Sequence, residues 1–163
     1  MNLSWDRQQL QDEKTTPQAL EAAVTQPAVT TIKDLSHLEM LLDAAGGRLA
    51  VLYLFSRSCG VCNEMRRLYN DTCQESHELA DSAAAVFLEH DVNDEYDSIS
   101  DLARYYNVRA VPKFLFFVEG ALVKTMTMAD IRAVKNVSVA HEHHRLRHIL
   151  FELLNKNSPS SRR

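Results

Sequence analysis

Seven apolar residues in a row, Leu49-Ala50-Val51-Leu52-Tyr53-Leu54-Phe55, lead through a three-residue step into Cys59-Gly60-Val61-Cys62. A run of that length without polar alternation is the pattern of a strand covered on both faces. A Cys-x-x-Cys that leaves such a strand and opens a helix is the layout of a thiol–disulfide redox site. Some fifty residues later Val108-Arg109-Ala110-Val111-Pro112 precedes a second apolar run, Phe114-Leu115-Phe116-Phe117. The chain must therefore build a sheet with a covered centre and deliver a close cysteine pair to the end of a central strand.

The length of 163 residues suits one domain, and an apolar fraction of 45% is enough for one sizeable core. The net charge of −4 argues against a general nucleic-acid binder, which needs clustered Lys and Arg to neutralise phosphates. No apolar run approaches the ~20 residues of a membrane span. The opening residues Met1 to Arg7, with Asp12 and Glu13 soon after, show neither a secretory signal core nor an ordinary transit peptide. Three cysteines, of which two are close, suit a reducing intracellular compartment, cytosol or mitochondrial matrix.

Local signals divide the chain further. Thr16-Pro17 can cap and open a short helix over Gln18 to Val24, ended by Pro27. Residues 1–28 otherwise read as an N-terminal extension, mobile or loosely docked. Val29 to Ile32 is a β-branched strand. Ser36 is a plausible N-cap for a helix from His37 to Ala45, stopped by Gly46-Gly47. The redox helix runs from about Cys59 to Cys73 or beyond. Val86 to Glu89 is a strand and Ser98 to Tyr106 a helix. Lys113 to Val118 and Leu122 to Met126 form a hairpin about Glu119-Gly120. Leu146, Ile149, Leu150, Leu153 and Leu154 stand at helical spacing in a last helix. A domain over 29–156 follows, with a disordered tail over 157–163. Alternating strands and helices closed by a hairpin give an α/β sandwich with a mixed sheet.

At the predicted helix N-terminus, unpaired backbone N–H groups and the helix dipole favour an anion at Cys59. Its pKa should fall below that of a free thiol, and the thiolate is the nucleophile. Cys62, one turn on and shielded from solvent, would resolve the mixed disulfide. Half of a zinc site is the alternative. It is poorly supported, because no second Cys-x-x-Cys exists and Cys73 lies eleven residues beyond Cys62.

These features together resemble the thioredoxin family. Leu42 to Leu52 is similar to the helix, turn and strand before the thioredoxin active site. Val86 to Asn93 resembles its third strand, and Arg109 to Gly120 its cis-proline loop, fourth strand and turn. The resemblance spans roughly Val29 to Asn155 and implies a thioredoxin fold, a central mixed β-sheet sandwiched by helices. It implies attack by Cys59 and resolution by Cys62. It also implies that cis-Pro112 lies against the disulfide, with Val111 offering its backbone edge to a bound polypeptide and Gly60 and Val61 completing the substrate surface. Partners would be protein thiols or disulfides and an external reductase or dithiol donor. No metal or bound organic cofactor is called for.

Departures from the family pattern are informative. Ser58 stands where thioredoxins have Trp, and Val61 where they have Pro. Tyr53 replaces a buried Asp that is thought to move the proton of the buried cysteine; a phenol with a pKa near ~10 is a poor substitute. Arg67 replaces the proline that kinks the redox helix, and the groove glycine falls near Met128. A small insertion is expected before Ala103 and a longer one over Asp130 to Ala140. Arg57, Arg66 and Arg67 bring positive charge near Cys59, which should make the disulfide more oxidising; for Arg66 and Arg67 a solvated helix face competes with that reading.

Other residues invite bland explanations. His141, His144, Arg145, His148 and Glu152 form a helix stripe opposite the leucines, better read as a pH-sensitive surface than as a metal site. Cys73 reads as a core thiol, Met126 and Met128 as core filling at a strand end, and Phe114 to Phe117 as buried sheet. Two functions then compete. The intact dithiol favours an atypical protein-disulfide oxidoreductase. The altered groove and the missing Asp favour a redox-switched binding or chaperone-type protein.

Overall fold

The computed structural model describes residues 16–80, 85–133, 148–149, 151–153 and 155–156. Helix α1 spans Pro17–Thr25, with the Thr16 hydroxyl accepting the Ala19 N–H at 3.3 Å. The short strand β1, Thr30–Thr31, leads into α2, Leu35–Ala45. The cap of α2 is Asp34 rather than Ser36: its carboxylate accepts the His37 N–H at 2.8 Å and starts the helix two residues earlier than expected. Gly46, at φ +61°, ends α2 in a conformation that costs glycine little.

Strand β2 is Leu49–Phe55, as its apolar run foretells, and every residue in it is buried. The redox helix α3 covers Gly60–Ala80. Strand β3, Val86–Asp91, lies parallel to β2 with Tyr53 opposite Glu89, and β1 lies parallel to the outer edge of β3. Strand β4, Lys113–Val118, runs antiparallel to β2, and β5, Ala121–Thr127, runs antiparallel to β4. The sheet order is β1-β3-β2-β4-β5. Both turn residues between β4 and β5, Glu119 (φ 52°) and Gly120 (φ 75°), have positive φ, which matches the right-handed twist of a tight hairpin.

Helix α4 is shorter than its sequence signal, spanning only Asp101–Tyr105 with Ser100 as N-cap. The residues before it are held in a turn instead. Asp94 Oδ1 accepts the N–H groups of Tyr96 and Ser98, and Asp97 takes φ 58°. A short helix α5, Met128–Ala133, begins within the stretch expected as an insertion, with Asp130 accepting the Thr127 N–H and hydroxyl. The described residues between 148 and 156 are helical. Ile149 is buried and Leu153 packs against the core; Leu146, Leu150 and Leu154 lie outside the described residues, as do His141, His144, Arg145, residues 134–140 and the tail 157–163.

Alternation along β2 divides the interior. Val51, Tyr53 and Phe55 face Cys62, Met65, Tyr69 and Cys73 of α3. Ala50, Leu52 and Leu54 face Leu38, Leu41 and Leu42 of α2. Helix α1 joins the second layer through Val24, which is 3% exposed. Arg48 fastens it, its guanidinium donating to the Val24 carbonyl at 2.6 Å and to the Ala45 carbonyl at 3.1 Å. Among the described residues no helix is long and apolar enough to cross a membrane.

The docking of α1 has a measurable weight. Val24→Ala should lower stability by about 1–2 kcal/mol, the loss of a small buried aliphatic group. Chemical denaturation of both proteins checks this, and an unchanged midpoint would mean that α1 is not part of the cooperative unit.

Candidate redox site

The site begins with how α3 starts. Beyond Phe55 the chain steps through Ser56, Arg57 and Ser58, and the Cys59 N–H donates back to the Ser56 carbonyl at 3.1 Å. The Cys59 carbonyl accepts the Asn63 N–H at 3.2 Å, so Cys59 closes the first helical bond as a cap residue. Its Sγ in turn accepts the Cys62 N–H at 3.2 Å, the place a capping oxygen would fill. Cys59 and Cys62 are joined as a disulfide with Cα atoms 5.2 Å apart. Cys59 is half-buried, whereas Cys62 is 1% exposed.

The remaining expected site residues gather at the same end of the sheet. The Val111–Pro112 bond is cis, and Pro112 is buried immediately before β4. Val111 and Cys59 both pack, half-buried, against the core layer on the α3 side. Gly60 and Val61 are exposed on the first turn of α3. A Cβ on Gly60 would meet nothing within 4 Å, so its glycine is not demanded by space. The Ser58 and Ser56 hydroxyls lie 3.0 Å apart. Met128 and Met126 are buried.

Tyr53 is wholly buried, stacked on Phe114 and Phe55 with ring centroids 5.0 and 5.6 Å away. Its hydroxyl donates to the Cys62 carbonyl at 2.7 Å, not to a sulfur. Burial above all, and the neighbouring Glu89 carboxylate second, push its pKa well above the ordinary phenol value, against a smaller opposing pull from Arg66. The group stays protonated at physiological pH and braces the redox helix as a donor. It is no base for Cys62.

The arginines are not the free charges that the sequence suggests. Arg57 is exposed and pairs with Asp91 at 2.6 Å. Arg66 grips Glu89 with two bonds, Nε–Oε2 at 3.1 Å and Nη2–Oε1 at 2.6 Å, and its guanidinium lies 5.0 Å from the centre of the Phe55 ring. Arg66 keeps the solvated side expected of it, its side chain 45% exposed, while pairing with a carboxylate that is only 5% exposed. Each of these two cations carries its own counter-ion, which weakens the argument for an unusually oxidising disulfide.

Glu89 was read only as part of a strand. A single acid in Val86-Phe87-Leu88-Glu89 signals it: a buried carboxylate needs a cation, and α3 supplies one. A hollow of about 350 Å³ opens along the step between β2 and α3, lined by Ser56, Arg57, Ser58, Asp91, Asn93, Asp94, Glu95 and Asp97. Among the described residues no group of three or more His, Cys, Asp or Glu side chains converges to hold a metal. His148 instead lies 3.6 Å from Glu152.

The family model for thioredoxin matches residues 28–138 of this chain. The chain belongs to the thioredoxin family. It is 34% identical over 104 residues to thioredoxin-like 4, chloroplastic, of Oryza sativa subsp. japonica, covering 63% of this chain and 48% of that protein. Its identity to thioredoxin-like 4, chloroplastic, of Arabidopsis thaliana is 32% over 104 residues, covering 63% and 50%. The chain thus spans about half the length of these two relatives. Among solved structures, the long form of thioredoxin f from spinach chloroplast superposes with a TM-score of 0.59 at 24% identity, covering 86% of this chain and 93% of that one. That last likeness is one of fold.

Two outcomes follow from the buried hydroxyl and thiol. Tyr53→Phe should cost about 1 kcal/mol of stability, one hydrogen bond, and leave dithiol exchange within about threefold. A loss of exchange greater than tenfold would mean that the hydroxyl takes part in proton movement. Cys73 is buried, and burial pushes its thiol up to about 12. An acid with a raised folded pKa stabilises fully below its unfolded value, ~8.5, and loses that contribution as pH climbs toward the folded one. Between about pH 9 and 11 wild-type stability should therefore fall more steeply than that of Cys73→Ala, by up to ~1.4 kcal/mol per pH unit. Denaturant melts across that range check it; parallel slopes would count against a buried neutral thiol.

Proposed function

We propose that the Cys59–Cys62 pair catalyses thiol–disulfide exchange on protein or small disulfide substrates. The observation that carries this reading is the asymmetry of the two sulfurs. Cys59 Sγ sits at the N-terminus of a 21-residue helix and receives the Cys62 N–H, while Cys62 is buried. An anion is favoured at the first position and shielded at the second.

In the reducing direction, the Cys59 thiolate attacks one sulfur of a substrate disulfide. A Cys59–substrate disulfide forms as the substrate S–S bond breaks and one substrate thiolate leaves. Cys62 then attacks Cys59 Sγ, closing the Cys59–Cys62 bond and releasing the second substrate thiolate. Two electrons pass to the substrate; the Cys62 proton goes to one released thiolate, and the proton that Cys59 gave up on ionising returns from solvent to the other. An external reductase or dithiol donor returns two electrons and two protons to restart the cycle. The half-buried Val111, before β4 at the dithiol's end of the sheet, supports a surface where an extended substrate segment can lie beside Gly60 and Val61. The free, buried Cys73 is in keeping with a reducing intracellular compartment. Two of the relatives are named chloroplastic.

One observation favours the second reading, a redox-switched binding or chaperone-type protein. The residue beneath Cys62 is Tyr53, which donates to a carbonyl and cannot accept the thiol proton. An insulin-type reduction assay beside a client-aggregation assay separates the two. Reduction lost in Cys59→Ser supports exchange; aggregation control that depends on oxidation state, with no reduction, supports the switch.

The roles of the cysteines are checked by trapping. Cys62→Ser should accumulate mixed disulfides with substrates, and Cys59→Ser should neither exchange nor trap. Non-reducing electrophoresis with mass spectrometry reads both, and equal trapping by the two variants would contradict the order of attack.

A further inference from the structure

Exchange chemistry gives no task to the ion pair that joins the redox helix to the sheet. Arg66 lies four residues, about one turn, beyond Cys62. Its partner Glu89 has a side chain only 5% exposed and also accepts the Thr31 hydroxyl at 3.2 Å. Glu89 stands opposite Tyr53 in the β2–β3 register, and Tyr53 holds the Cys62 carbonyl. The Glu89 carboxylate therefore lies on the same side of the sheet as the dithiol. An ion pair of one exposed and one buried partner adds little net stability once the carboxylate's desolvation is counted, so stability alone does not explain it.

Reduction of the disulfide creates one new charge, the Cys59 thiolate. Arg66 favours that charge and Glu89 opposes it. The other groups at this end are the protonated Tyr53, the Arg57–Asp91 pair at the exposed edge, the acids Asp94, Glu95 and Asp97 that line the hollow with Ser58, and the N-terminus of α3 itself; all are common to the variants compared below. The Glu89 carboxylate, only 5% exposed, is screened less by solvent than a charge at the exposed rim. We propose that the Arg66–Glu89 pair sets the redox poise of the dithiol: Glu89 cancels the stabilisation that Arg66 would give the Cys59 thiolate and keeps the disulfide from becoming strongly oxidising. Both are positioning residues, acting through their field and not by touching substrate. The inference rests on the exchange reading above.

The test is equilibration of the full chain with glutathione. The Cys59–Cys62 bond breaks as the glutathione S–S bond forms. Two glutathione thiols give two electrons to the protein, and their protons pass to the cysteines, less the one that Cys59 releases as a thiolate. Glu89→Gln should shift this equilibrium about tenfold toward the dithiol, equivalent to ~30 mV. Arg66→Met should shift it about tenfold the other way, Arg66→Lys should stay near wild type, and Glu89→Gln/Arg66→Met should return to within about threefold of wild type. The pH midpoint for alkylation of Cys59 should fall in Glu89→Gln and rise in Arg66→Met. A purely structural role would move both single variants in the same direction or neither, and either result overturns the proposal. Where Arg66→Met leaves the buried carboxylate unpaired and does not fold, Glu89→Gln and the double variant decide. Failure of the double to reverse the Glu89→Gln shift is then the overturning result. A wild-type disulfide that never equilibrates with glutathione overturns the exchange reading as well, whereas one that equilibrates with all variants alike overturns only the pair's role.

Discussion

Strand β2 is hydrogen-bonded along both edges, to β3 in parallel and to β4 in antiparallel sense. The position of the reactive sulfur depends on that double pairing. A slip of one residue would exchange the faces of Val51, Tyr53 and Phe55 with those of Ala50, Leu52 and Leu54, so both core layers resist it. With its register held, β2 ends at Phe55 and delivers Cys59 to the head of α3. The antiparallel partner adds a second consequence. Because Lys113 pairs with Leu54, β4 begins where β2 ends, and the residue before it, Pro112, arrives at the same edge as the cysteines. Two segments fifty residues apart meet because one sheet runs one strand up and the next down.

The elements that were legible in the sequence are those whose signal is local and redundant. The run Leu49 to Phe55 matched its strand end for end, since no polar residue interrupts it. Thr16-Pro17 opened α1 as its cap chemistry requires. The errors fell where two neighbouring residues compete for one role. Asp34 and Ser36 can both cap a helix, and the carboxylate nearer to the strand prevails. Ser98 and Ser100 can both open α4, and the Asp94 side chain decides for the second by drawing residues 96 and 98 into a turn. The dithiol and its proline were readable because their spacing is chemical. Glu89 was not, because its importance lies in a partner on another element, and pairing between a strand and a helix leaves no periodicity to read.

Two arginines at this end of the molecule are each matched with a carboxylate. Arg57 lies with Asp91 at the exposed rim and Arg66 with the buried Glu89. The exposed pair is screened by solvent and contributes little energy. The inner one joins a buried carboxylate to an arginine that keeps one side in solvent, and it ties the helix that carries Cys62 to the sheet. Tyr53 complements it by filling the position with an aromatic ring and a hydroxyl that stays neutral.

Helix α3 and its cap carry all three cysteines of the chain, packed toward the sheet. They are the same functional group, yet their surroundings sort them. Cys59 is half-open and receives a backbone N–H, Cys62 is covered one turn later, and Cys73 lies sealed in the interior with its proton held by burial. The fold thus imposes a chemoselectivity that the side chain itself lacks. In the reduced, folded protein an electrophile should find one sulfur readily, a second only when the first presents it with a disulfide, and the third not until the chain unfolds. Depth along a single helix acts as a clock for thiol labelling, and the appearance of Cys73 among the labelled sites would mark the moment at which that helix leaves the sheet.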